Sequence, residues 1–171
     1  MDTFNNNKTK KMILLANLTA VAIVLGLIES RLNIISVPGA KLGLANLVSL
    51  IILYLFSYKE ALIITITRVI LVGVLSGSLG APFWMGLSGG FVSITIMAIL
   101  KNIKLSTTVV SLFGSITHQI GQIIVGMYVL GAKEIAMYLY IMVPIGIISG
   151  VIIGLIAEKF LIHYDSRKNI E

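Results

Sequence analysis

Cysteine is absent from all 171 residues. That excludes disulfides, thiolate metal sites and a cysteine nucleophile. Charge is scarce as well: Asp, Glu, Lys and Arg make up 12% of the chain, against about 25% in soluble domains. A chain with so little charge does not cover a water-facing surface. Carboxylates are the rarest charged groups, seven in all, and no two of Asp2, Glu29, Glu60, Glu134, Glu158, Asp165 and Glu171 fall within one helical turn. Clustered carboxylates that hold a magnesium–diphosphate pair are therefore missing. So are a phosphate-cradling glycine loop with its lysine and hydroxyl, and any other nucleotide-binding motif. There are two histidines, His118 and His163, without the neighbours that complete a metal ligand set. Neither a metal nor a cofactor is expected.

What is abundant is apolar residue, 57% of the chain, with a mean hydropathy of +1.03. Lipid is the solvent that fits, and the fold class expected is an all-α integral membrane protein of one domain. Six apolar stretches approach the roughly 20 residues that span a bilayer: about 12–28, 42–56, 61–75, 83–100, 105–130 and 136–156. The first is read as a retained helix, since no small-residue cleavage pattern follows it. The expected organisation is a basic tail over 1–11, a six-helix transmembrane domain over 12–158 and a C-terminal tail over 159–171.

The net charge of +6 does not point to nucleic acid, because the basic residues are dispersed and mostly sit at the ends of apolar runs. Placing the N-terminus inside collects nine of them on the inner side: Lys8, Lys10, Lys11, Lys59, Lys101, Lys104, Lys159, Arg167 and Lys168. Arg31, Lys41 and Lys133 fall outside. This bias predicts that both termini are cytoplasmic. Small residues recur four apart on the first helix (Ala16, Ala20), the fourth (Gly86, Gly90) and the sixth (Gly146, Gly150, Gly154). That spacing lets helix backbones approach closely, within the bundle or against a partner. Trp84, Tyr128 and Tyr138 fall where an interfacial aromatic belt is expected.

Three polar features break the pattern. Arg68 lies mid-segment in ITITRVILVG, where a charge costs roughly 2.5–3.5 kcal/mol on the insertion scale. Glu29, at the outer end of the first helix, is the candidate ion-pair partner; an anionic ligand is the alternative. In the fifth segment Ser111, Ser115, His118 and Gln122 are spaced 4, 3, 4, on one stripe of a helix with Gln119 on its shoulder. Such a stripe faces the bundle interior or a cavity. Finally, VPGAKLGLAN (37–46) reads as a turn entering the second helix, with Lys41 in its first turn and Asn46 one turn deeper. A lysine opposes the dipole at a helix start, so Lys41 is either an ordinary interfacial lysine or the companion of an anion or polar ligand that binds there. Lys41, Asn46, Arg68, His118, Gln119 and Gln122 are the substrate-binding candidates, with 30–40 as a gating loop.

The set PGAKLGLAN, Arg68, GLSGGFVS (86–93) and HQIGQ (118–122) resembles the family labelled both heptaprenyl diphosphate synthase component I and the Gx transporter family, over nearly the whole chain. That family is in turn similar to the substrate-binding S components of energy-coupling factor transporters. The resemblance implies a six-helix bundle in the bacterial cytoplasmic membrane that captures a small molecule, a micronutrient or an isoprenoid or quinone precursor, from outside. It also implies a transmembrane coupling subunit served by two ATPases, with Ala16 and Ala20 as the AxxxA docking pattern. The synthase label implies instead an accessory subunit in polyprenyl or menaquinone synthesis. The missing aspartate-rich motif argues against prenyl transfer by this chain alone.

Overall fold

The computed structural model describes the backbone of residues 2–31 and 43–168 and the side chains of residues 8–31 and 43–166. The described chain is helical throughout: α1 (Asp2–Arg31), α2 (Leu44–Leu55), α3 (Tyr58–Leu75), α4 (Ala81–Asn102), α5 (Thr107–Leu130), a 3-10 turn (Lys133–Tyr138) and α6 (Leu139–Lys168). No strand occurs among the described residues. Helix continues through much of both segments read as tails, since α1 begins at Asp2 and α6 ends at Lys168.

Local chemistry sets the helix starts. Ser57 caps α3, its hydroxyl accepting from Lys59 N at 3.2 Å, and Glu60 three residues on meets the same hydroxyl. This is the S-x-x-E signature of a helix N-terminus. Ser106 caps α5 through Val109 N at 3.4 Å. Pro82 sits in the first turn of α4, where its missing N–H has no helical partner to lose. Gly43 precedes α2 at φ 78°, a left-handed conformation that glycine adopts without steric cost.

Helices α1, α4, α5 and α6 are long and apolar enough to cross a bilayer, so the protein is membrane-embedded. α2 is short, at 12 residues. α3 has 18, with three charges among them. Side-chain contacts give the directions. Gly114 meets Met97, Gly121 meets Gly89 and Gly126 meets Met85, so α4 and α5 run antiparallel. Gly146, Gly150 and Gly154 of α6 pack on Gln119, Leu112 and Thr108 of α5, again antiparallel. The glycine series expected from the sequence is therefore internal packing. α1 and α3 run parallel: Lys11 pairs with Glu60 at one end, and Gly26 abuts Val72 towards the other.

α2 is the centre of the bundle. It packs against α1, α3, α4 and α6, and eight of its 12 residues are buried. Leu50, Ile52 and Leu53 form the heart of the core with Ile94, Val110 and Ile153. A helix buried on nearly all sides needs no amphipathic stripe. α1, by contrast, is peripheral: Ile13, Ala16, Asn17, Ala20, Val21, Val24 and Ile28 all face outward. Trp84, Tyr128 and Tyr138 are exposed too.

Candidate functional site

The site grows from the top of α2. Because α2 is short and central, its N-terminus opens inside the bundle, with Ala45 and Asn46 already buried in the first turn. The first amides of any helix lack intrahelical acceptors. Glu29 of α1 supplies one: its Oε1 accepts from Leu44 N at 2.6 Å, and the residue is 8% exposed. Arg68 of α3 reaches the same turn, where Nη2 donates to Asn46 Oδ1 at 3.3 Å. Arg68 is 7% exposed, so the guanidinium points into the bundle and away from lipid. Among the described residues no carboxylate lies within 4.0 Å of it, although Glu29 is near enough for its charge to act on the guanidinium. One turn below, Thr65 donates to Ser49 at 2.9 Å and closes the α2–α3 seam.

The second group lies on α5. Ser111, Ser115, His118, Gln119 and Gln122 are all buried, as the 4, 3, 4 spacing predicts. The helix is held so close on both sides that its polar groups have little room. A Cβ on Gly89 of α4 would stand 2.7 Å from Gln122 Cγ and 2.8 Å from the His118 carbonyl oxygen. A Cβ on Gly146 of α6 would stand 3.3 Å from Gln119 Cγ. Gln122 therefore lies towards α4 and Gln119 towards α6.

The two groups share a level. Gly90 of α4 meets Thr65 and Gly86 meets Val69, either side of Arg68 in sequence, while Gly89 between them meets His118 and Gln122. Arg68 and the α5 amides thus lie across α4 from one another. No hydrogen bond joins Gln119 or Gln122 to Arg68 among the described residues. Lys41 and most of the expected gating loop lie outside the described residues. Ser93 of α4, 1% exposed, lies further along α4 beside Gly114 and carries no sequence signal beyond being a serine.

Four buried groups on α3, α4 and α5 have no hydrogen-bond partner among the described residues: Arg68 Nε, Ser93 Oγ, Gln119 Oε1 and Gln122 Oε1. Leaving a buried polar group unsatisfied costs about 1–3 kcal/mol, and more for a charged one. The buried cationic N–H donor suits an acidic or electron-rich group, and the buried amide carbonyls suit N–H or O–H donors.

The chain matches the family model described as heptaprenyl diphosphate synthase component I over residues 18–160. No curated protein and no solved structure matches it.

Proposed function

The chain belongs to the heptaprenyl diphosphate synthase component I family, also called the Gx transporter family, and from that premise we propose a membrane-embedded, substrate-binding subunit of the S-component kind. It takes up a small polar or amphipathic molecule, and partner ATPases energise it. The observation that carries this reading is the set of unsatisfied polar groups at Arg68, Ser93, Gln119 and Gln122, all buried within the bundle. Interhelical glue pairs polar groups with each other and is worth around 0.6 kcal/mol per bond. Groups left unpaired cost energy, and a ligand that pairs them makes up the difference.

All six helices span in this reading. α2 and α3 cross because neighbours cover them: one is buried nearly all round, and the charge of the other points inward. Lys11, Lys59 and Lys101 then lie at the cytoplasmic end. Asn46 and Arg68 bind an acidic head group, His118, Gln119 and Gln122 orient the rest, and Lys41 serves the mouth. Ala16 and Ala20 dock α1 to a transmembrane coupling subunit. Their outward exposure supports this role, because a peripheral helix with small residues on its free face lets a partner helix approach closely.

The test is purification of the intact chain from native membranes, with identification of bound small molecules and partner proteins. A bound small molecule that Arg68→Met and His118→Ala both lose supports the site. Retention in both variants removes it. The printed family description favours one other reading, an accessory subunit of a polyprenyl diphosphate synthase. Co-purification with a soluble synthase, in place of ATPases, is the outcome that selects it.

A further inference from the structure

We infer that the N-terminus of α2 is an anion-binding position, that Glu29 occupies it as an internal substitute, and that the acidic group of the substrate takes Glu29's place. The inference rests on the substrate-binding reading above and narrows the substrate class to organic anions with a carboxylate or phosphate head.

Two independent features meet there. The first is the helix end itself. α2 begins behind half-buried Gly43, which offers no side-chain cap, so its positive pole and its first amides stand beside the buried side chains of Glu29, Asn46 and Arg68. Among the described residues the acceptor of Leu44 N is the Glu29 carboxylate, at 2.6 Å. The second is Arg68, more than nine-tenths buried and reaching the same turn through Asn46, with Nε unpartnered. Guanidinium favours two-point recognition of carboxylate or phosphate oxygens. Here Nη2 makes a 3.3 Å bond to a neutral amide, and Nε is left over.

A buried cation, a helix N-terminus and one carboxylate are close to electrically balanced. A second anion entering beside Glu29 would upset that balance and meet like-charge repulsion in a low-dielectric interior. Exchange keeps it: the incoming oxygens accept from Leu44 N–H and Arg68 Nε–H, and Glu29 leaves. Glu29 thereby sets affinity, acting as a competitor built into the chain. Since Glu29 lies on α1, exchange also frees the end of that helix from α2.

The experiment uses the full chain in detergent micelles, 15N-leucine labelled, with the Leu44 amide assigned through a Leu44→Ile variant. Inorganic phosphate is titrated in one arm and acetate in the other. In the wild type the Leu44 resonance is expected to move and saturate. Glu29→Gln keeps an acceptor for Leu44 and removes the charge, so anion affinity should rise about tenfold or more. Arg68→Gln should abolish the response. A response to phosphate alone identifies a phosphate head group, and a response to both anions admits carboxylates. A Leu44 amide that neither anion moves in the wild type overturns the inference, and that result needs no variant to fold. Unchanged affinity in a folded Glu29→Gln protein overturns it as well. If a co-purified small molecule depends on Arg68 yet binds Glu29→Gln no more tightly, the site stands and only the exchange falls.

Discussion

Gly86 and Gly89 lie one turn apart on α4, yet alanine should act on them with opposite sign. At Gly89 the new Cβ would sit 2.7 Å from Gln122 Cγ, 2.8 Å from the His118 carbonyl oxygen and 3.2 Å from His118 Cε1. Non-bonded carbons prefer about 3.5–4.0 Å. Gln122 can swing, but the His118 carbonyl belongs to the α5 backbone, so the two helices must part by several tenths of an ångström. Overpacking of this kind costs roughly 1–3 kcal/mol. Replacing a helical glycine by alanine returns about 0.5–1 kcal/mol. The net expectation is about 0.5–2 kcal/mol of destabilisation, a factor of roughly 2–30 in the folding equilibrium. At Gly86 the nearest atom to a Cβ is Val69 Cγ1 at 3.8 Å, an ordinary contact. Only the helical gain remains, up to about 1 kcal/mol of stabilisation. Equilibrium unfolding in mixed micelles, followed by far-UV circular dichroism, reads both. Gly89→Ala should also weaken substrate binding, because it displaces His118 and Gln122 together. Equal stability for the two variants, or a Gly89→Ala protein more stable than wild type, would refute the close α4–α5 approach on which the site geometry depends.

Arg68→Met removes the cation that balances buried Glu29 and leaves Asn46 Oδ1 without its donor, so stability should fall by about 1–3 kcal/mol while substrate binding is lost; unfolding and binding assays on one preparation check both. Asn46→Leu takes away the hydrogen-bond acceptor that the described residues give the guanidinium and should cost about 1–3 kcal/mol in the same unfolding assay. Lys104 closes α4 at φ 61°, a left-handed conformation that suits glycine, so Lys104→Gly should stabilise by about 1 kcal/mol. Hydrogen bonds from Lys11 and Ser57 hold the Glu60 carboxyl down at about 2, below its ordinary 4.5. Its contribution is therefore complete above pH 4.5 and fades as pH falls towards 2; being solvent-exposed, it is worth under about 1 kcal/mol. Midpoints of Glu60→Gln and wild type should differ slightly but constantly from pH 7 to 5 and converge near pH 2. Ala16→Leu should leave stability within about 0.5 kcal/mol, since the position is exposed, and should reduce recovery of membrane partners in a pull-down.

Much of the site was legible because polarity inside an apolar run has few explanations. Arg68 stood out as a lone charge and is buried. The α5 stripe was visible in its spacing, and all five of its members are buried. Rotation about a helix axis was harder to read. GLSGGFVS offered Gly86 and Gly90 as the small-residue pair, but the tightest contact is made by Gly89, on the face turned to α5. Ser49, Thr65 and Ser93 escaped notice, since a lone hydroxyl in a greasy segment has no periodic signature. Glu29 was read as a candidate ion-pair partner for Arg68 and not as the acceptor for Leu44 N. That role depends on the start of α2 at Leu44 behind Gly43; the first turn expected at Ala40 and Lys41 lies outside the described residues. The small residues of α1 were visible as a spacing; only the structure shows that they face outward.

The burial of α2 has a consequence for biogenesis. A segment of 12 residues, surrounded by protein, partitions poorly on its own, and α3 carries Lys59, Glu60 and Arg68. Neither is fit to leave the translocon alone. Their two-residue connection, Phe56–Ser57, favours their moving as a hairpin, sheltered first by α1 and then by the arriving α4 and α6. Truncation after α3 should therefore yield a chain that the quality-control proteases clear, although half of its helices have already been synthesised.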